Sequence, residues 1–232
     1  MKPVIVFDVN ETLLDLAWLD PTFGRIFGAH AATETRKKWF KQVLELFLTG
    51  VAVGKHRAFA VLTDDALRMI AAQQGRTVAP EERQGLKAAL GELPAHADVA
   101  RGLDRLNAAG FRVVALTNSG RESATKLLER AGILAEFEQV LSAEDVQRHK
   151  PAREAYGHAA RSCGVGIEDI LLVAAHSWDV AGALSAGCKA AFVSRPGQVL
   201  SPGVPDPDFQ GSDVGAVAEQ IVAKFGKGGL ND

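Results

Sequence analysis

The chain has 232 residues, 47% of them hydrophobic and 23% charged, with a formal net charge of -2. That is enough for one large domain, or a domain carrying an insertion, and the near-neutral balance leaves no electrostatic footprint for nucleic acid or an anionic membrane surface. Cys163 and Cys188 are too few for a disulfide scaffold, and no apolar run approaches the length of a signal peptide or a membrane span, so the expectation is a cytoplasmic protein with neither nucleic acid nor membrane as partner.

Val4 to Phe7 is a short continuous apolar run closed by Asp8, which reads as a strand buried on both faces of a parallel sheet. From Asp15 to about Glu92 no strand is read. Thr33 to Leu48 is an amphipathic helix with Phe40, Val43, Leu44, Phe47 and Leu48 on one side, and His56 to Ala72 is another, with Phe59, Leu62, Leu67 and Ile70. Thr63-Asp64-Asp65 offers a cap for a shorter helix within it. A further short helix covers Pro80 to Leu90. From Pro94 the rhythm alternates. Helices are predicted over Asp98–Ala109, Ser123–Ala131, Arg153–Cys163, Val180–Ala186 and Val214–Phe225. Strands are predicted over Phe111–Leu116, Gln139–Leu141, Ile170–Ala174 and Ala190–Val193. Pro196 to Asp213 reads as an ordered surface loop. The fold class is therefore α/β: a doubly wound, Rossmann-like parallel sheet built from residues 1–14 and 93–232, with a helical cap of residues 15–92 inserted after the first strand. Right-handed crossovers bring the strand ends at Asp8, Thr117 and Ala174 to one sheet edge.

Four polar groups follow those strand ends: Asp8, the Thr117-Asn118-Ser119 run, Lys150 before Pro151, and Asp179 after Trp178. Singly, each has an ordinary use. An aspartate caps a turn, a hydroxyl-amide run makes turn chemistry, a lysine is solvated, and an aspartate opens a helix. Together they place carboxylate, hydroxyl-amide, lysine and carboxylate on the edge where open α/β sheets bind ligands.

In that order and placement the residues resemble the haloacid dehalogenase superfamily over nearly the whole chain. Asp8 with Thr12, Thr117 with Asn118, Lys150 and Asp179 match its four motifs. The resemblance implies that Asp8 is a nucleophile. The phosphatases of the superfamily carry an acid two residues after it, where this chain has Asn10, and an aspartate four residues before the last acidic one, where it has Ala175. Both departures weaken magnesium-dependent phosphate chemistry. Ala174-Ala175-His176-Ser177-Trp178-Asp179 and the spacing from Lys150 to Tyr156 resemble the (S)-2-haloacid dehalogenase branch instead. That branch implies an aspartyl-ester route from a short 2-haloacid to a 2-hydroxy acid plus halide, without cofactor or metal. Lys150 and Asp179 would serve the water step. Thr117 and Asn118 would hold the substrate carboxylate, and Arg36 would receive the halide. Phe59 and Trp39 would line the pocket, beside Asn10, Tyr156, Trp178 and His176. Asn10 and His176 depart from the branch's common tyrosine and asparagine, which changes the pocket and makes a haloacetate, fluoroacetate included, a candidate substrate. Members of the family are often dimers, so a homodimer is a further expectation. The alternatives are a phosphatase with a degenerate magnesium site and a binding protein that kept the fold.

Overall fold

The structure, a computed structural model, describes residues 2–226. Met1 and residues 227–232, the outer ends of the expected core domain, lie outside the described residues. Six parallel strands form one sheet: β1 (Val4–Phe7), β2 (Val113–Thr117), β3 (Gln139–Ser142), β4 (Ile170–Ala174), β5 (Lys189–Val193) and β6 (Phe209–Gly211), in the order β3-β2-β1-β4-β5-β6. The order reverses between β1 and β4, where Ile5 pairs with Leu171 and Phe7 with Val173. A reversal of this kind opens a crevice beyond the strands' carboxyl ends.

The strands are apolar on both sides because both faces are covered. Ile5, Phe7, Val113, Ala115, Leu171 and Val173 pack on the face shared with α5 (Val99–Ala108), α6 (Arg121–Arg130) and α9 (Val214–Phe225). Val4, Val6, Val114, Leu116, Ile170 and Leu172 face α7 (Arg153–Cys163) and α8 (Ser177–Ala186). The alternation follows from the two-residue period of a strand.

Between β1 and α5 the chain is helical: α1 (Asp20–Phe27), α2 (Ala32–Ala52), α3 (Phe59–Gln73) and α4 (Pro80–Leu90), with a 3-10 turn at Leu16–Leu19 capped by Asp15. α1 and β6 were not expected. α1 begins on Asp20-Pro21, a helix-starting pair, and buries Phe23 and Ile26 against α2, the Phe23 and Trp39 rings lying 5.4 Å apart. β6 is a three-residue edge strand inside the predicted loop, paired only to β5. Thr63 caps no inner helix: it lies within α3, and its hydroxyl donates to Ala60 O at 2.8 Å. α8 starts at Ser177 rather than Val180, so Asp179 stands in its first turn.

Two polar contacts tie the helical segment to the sheet. Glu144, beyond β3, accepts from the free Phe59 N–H at the start of α3 at 2.7 Å, and His149 Nε2 donates to Arg57 O at 2.9 Å. A carboxylate at a helix N-terminus satisfies an orphan donor and opposes the helix dipole.

Candidate active site

The site is assembled from loops that follow β1, β2, β3 and β4. Asp8 N–H donates to Val173 O at 3.0 Å, so the strand ladder carries the carboxylate to the crevice. The chain then turns back through Glu11, whose φ of 59° is left-handed, and returns Thr12 to the carboxylate. Thr12 Oγ1 donates to Asp8 Oδ2 at 2.6 Å and accepts from Ala175 N–H at 2.9 Å. One hydroxyl thus joins the loops after β1 and β4.

Lys150 is fully buried and lies between two carboxylates. Its Nζ is 2.8 Å from Asp8 Oδ1 and 2.6 Å from Asp179 Oδ2. Asp179 Oδ1 accepts from the Tyr156 hydroxyl at 2.6 Å. Gly182 makes that approach sterically feasible, because a Cβ there would lie 2.4 Å from Pro151 Cβ and 2.5 Å from the Tyr156 oxygen. His176, 3% exposed, places Nδ1 3.3 Å from Asp8 Oδ2 and Nε2 3.0 Å from Glu11 Oε2. Carboxylates only accept, so both ring nitrogens carry protons and the ring is an imidazolium. Gln198 Nε2 donates to the same Glu11 oxygen at 3.2 Å.

The electrostatics follow from these contacts. Burial alone would push Asp8 upward, but Lys150 and His176 outweigh it and hold the carboxyl well below the usual range. Burial would lower His176, but Asp8 and Glu11 reverse this and raise it to about 9. Burial would lower Lys150, and Asp179 with Asp8 raise it instead. Asp179 shifts the other way from Asp8: its burial is complete and raises it despite Lys150. Two carboxylates sharing one lysine are thereby shifted in opposite directions, the lowered one suited to attack as an anion and the raised one the stronger base.

A cavity of about 240 Å³ opens beside this cluster, between the helical segment and the sheet edge. Its floor includes Val9, Asn10, Thr117 and Ser119, the neighbours of Asp8 and the turn after β2. Trp39, Phe40 and Phe59 are in its walls. Asp8 itself is 5% exposed, at the margin of that floor. Asn10 Nδ2 lies 3.4 Å from Ser119 Oγ, and Thr117 Oγ1 accepts from Ser119 N–H at 3.0 Å.

The structure redirects several expectations. Arg36 is buried and paired with Asp20, so its charge is already matched by a carboxylate rather than standing free for a leaving halide. Asn118 does not face a substrate carboxylate. Its Oδ1 accepts from Lys150 N–H at 2.7 Å and its Nδ2 donates to Lys150 O at 3.2 Å, which fixes the lysine's backbone. Tyr156 lies under Asp179 rather than in the cavity. Trp178 stacks on His176, ring centres 5.2 Å apart, and meets Phe47 at 5.1 Å, while His176 stands against Asp8. Glu11 and Arg195 were not anticipated. Arg195 clamps the Thr12 carbonyl through Nη2 at 2.8 Å and pairs with Asp98 at 2.6 Å. Only its place after β5 hinted at a site role.

The phosphatases' magnesium ion does not suit these residues. Hard cations need converging oxygens. Here the Lys150 ammonium spans Asp8 and Asp179, Ala175 has no side-chain oxygen, and the His176 imidazolium adds a second cation. Among the described residues no group of three or more His, Cys, Asp or Glu side chains is arranged to hold a metal.

The chain is similar to known proteins along most of its length. The family described as haloacid dehalogenase-like hydrolase matches residues 2–187. An (S)-2-haloacid dehalogenase of Pseudomonas fluorescens is 30% identical over 190 residues, covering 82% of this chain and 83% of its own. The (S)-2-haloacid dehalogenase 4A of Burkholderia cepacia is 31% identical over 196 residues, 83% of each chain. The solved L-2-haloacid dehalogenase of Xanthobacter autotrophicus shares the fold at a TM-score of 0.89, with 21% identity over 97% of this chain and 99% of that one.

Proposed function

The chain belongs to the haloacid dehalogenase-like hydrolase family, and from that premise we propose that it is a hydrolytic dehalogenase, converting 2-haloalkanoic acids to 2-hydroxy acids and halide. The observation that carries the reading is the Lys150 ammonium held between Asp8 and Asp179. It keeps Asp8 anionic without a metal, while Asn10 and Ala175 remove the side chains that metal-dependent phosphate chemistry would use.

Asp8 attacks the halogen-bearing carbon from the side opposite the halide. The C–O bond forms as the C–halogen bond breaks, and the electron pair leaves with the halide. The result is an ester of Asp8 with inverted configuration, which divides one displacement into two easier steps. Water then adds to the ester carbonyl, and collapse of the tetrahedral intermediate releases the 2-hydroxy acid and restores Asp8. Lys150 and Thr12 touch the two carboxyl oxygens, so negative charge developing there meets donors already in place. Asp179, raised by burial, orients the water with Lys150, takes the water's proton as it adds, and returns that proton to the alkoxide oxygen as it leaves the ester. With Arg36 held by Asp20, His176 and Lys150 supply the positive charge around the reacting carboxylate. The Thr117 and Ser119 hydroxyls and the Asn10 amide present the polar contacts for the substrate carboxylate. No step asks for a general acid at residue 10, because halide leaves without protonation.

In this reading α1 to α4 act as a cap, residues 15–92 closing over a core of residues 1–14 and 93–232. The free, buried Cys163 and Cys188 suit a reducing cytoplasm. No helix among the described residues is long and apolar enough to cross a membrane. Val61 and Met69, exposed apolar side chains on α3, offer a surface for a homodimer. A single turnover in water enriched in heavy oxygen tests the ester route. Asp8 should acquire the label and Asp8→Asn should release no halide. Label in the product with none in Asp8 refutes the ester, and turnover of an aryl phosphate only with magnesium refutes the dehalogenase.

A further inference from the structure

The cavity is both larger and more apolar than a two-carbon haloacid requires. Its 240 Å³ exceeds the roughly 150 Å³ apolar cavity that takes up a whole benzene molecule. The polar groups nearest the reacting carboxylate come from the sheet-edge loops, where Asn10, Thr117 and Ser119 stand next to Asp8. The walls supplied by the helical segment are mainly apolar, Trp39, Phe40, Phe59, Leu67, Leu86 and Leu90 among them, with Thr63, Asp64, Arg83 and Lys87 also on the lining. Arg83 also borders the cavity, but its Nε and Nη2 are each 2.6 Å from an oxygen of Asp64, so its charge is matched within the wall. A pocket with one polar end and an apolar body recognises a ligand built the same way.

We propose that the site, read as a dehalogenase as above, prefers 2-haloacids whose second carbon carries an apolar substituent, a phenyl ring or an alkyl chain of about four to six carbons. The carboxylate and the reacting carbon lie at the Asn10, Thr117 and Ser119 end, within reach of Asp8. The substituent fills the space against α2, α3 and α4. A haloacetate leaves that space unfilled and forgoes the apolar contact.

The experiment compares kcat/KM for halide release from chloroacetate, 2-chloropropionate, 2-chlorohexanoate and 2-chloro-2-phenylacetate. Each buried methylene should raise kcat/KM about fourfold. 2-Chlorohexanoate should then exceed 2-chloropropionate by about sixtyfold, with chloroacetate the poorest of the series. A second arm uses Ala60→Trp. Ala60 lines the cavity from the exposed side of α3, so the larger ring shortens the pocket without entering the buried core. The hexanoate-to-propionate ratio should fall about tenfold while 2-chloropropionate is still turned over. Halide release that is flat or declines with chain length overturns the preference and leaves the dehalogenase reading standing. An unchanged ratio in Ala60→Trp overturns the placement of the substituent. No halide from any acid overturns the dehalogenase reading and the preference with it.

Discussion

Replacing His176 by glutamine separates its charge from its hydrogen bonding. In the folded protein the imidazolium is 3% exposed and faces Asp8 on one nitrogen and Glu11 on the other, with Lys150 the next cation across Asp8 and the Phe40 and Trp178 rings on its faces. Its pKa is raised from 6.5 to about 9. A group that binds its proton more tightly when folded stabilises the fold fully below its unfolded value and loses that stabilisation as pH rises through its folded value. The window is therefore from about pH 6.5 to about pH 9. At 1.36 kcal/mol per unit the loss is about 3 kcal/mol across it, an order-of-magnitude figure. For a protein of this size that corresponds to a fall in Tm of about 6–12 °C. Urea or thermal melts at intervals from about pH 6 to about pH 9.5 measure it directly. The wild type should weaken across the window, and His176→Gln should show little of that slope. Glu11→Gln, which removes one of the two anions, should show about half. Wild-type and His176→Gln curves that run parallel through the whole range would refute the reasoning, because the pH dependence would then lie elsewhere.

Lys150→Met should destabilise the protein by about 3–5 kcal/mol at neutral pH, because two buried carboxylates lose their shared cation. The loss should shrink as pH falls and Asp179, already raised by burial, takes up a proton; urea melts showing equal losses at acidic and neutral pH would contradict this. Tyr156→Phe removes the 2.6 Å bond to Asp179 Oδ1 and should cost about 1–3 kcal/mol, with a lower Tm and slower halide release. An unchanged Tm would mean that Asp179 recruits another donor. Gly182→Ala pushes a methyl against Pro151 and the Tyr156 hydroxyl and should cost about 1–3 kcal/mol by overpacking, read as a Tm shift, while an unaltered Tm would argue that α8 slides freely.

The central strands were legible because burial on both faces leaves little freedom in composition: VIVF and ILLVA can be little else at that length. Their shared edge followed from crossover handedness, which is why Asp8, Lys150 and Asp179 could be grouped before any coordinates. The misses have local causes. Phe209–Gly211 is too short and too solvent-facing to carry a period. α1 is eight residues long with Gly24 inside it, so its pattern resembled a loop. Roles were harder to read than positions. Arg36 has the right residue type in the right helix, but its direction is set by Asp20, a partner sixteen residues away. Asn118 sits at the expected turn, yet its amide is consumed by the backbone of a residue thirty-two positions on. Glu11 and His176 could not be paired from sequence, since 165 residues separate them and nothing in the motifs around Asp8 and Asp179 shows that these two side chains meet.

The position of β1 between β2 and β4 also bears on the order in which the protein can be completed during synthesis. Domains form as the chain emerges from the ribosome, at about 5–20 residues per second. β1 can acquire β2 once residues near 117 are out, but its other edge stays open until β4 at Ile170–Ala174 is made. Asp8 waits for the same event, because His176 lies 168 residues further along the chain and Asp179 follows it. During that interval a finished carboxylate lies beside an unpaired strand edge, and unpaired edges invite pairing with other chains. The reacting residue is thus made long before its surroundings: the β4 and α8 segment supplies its charged partners, and only then do β5 and Arg195 cover the far edge of β4 and clamp the Thr12 carbonyl.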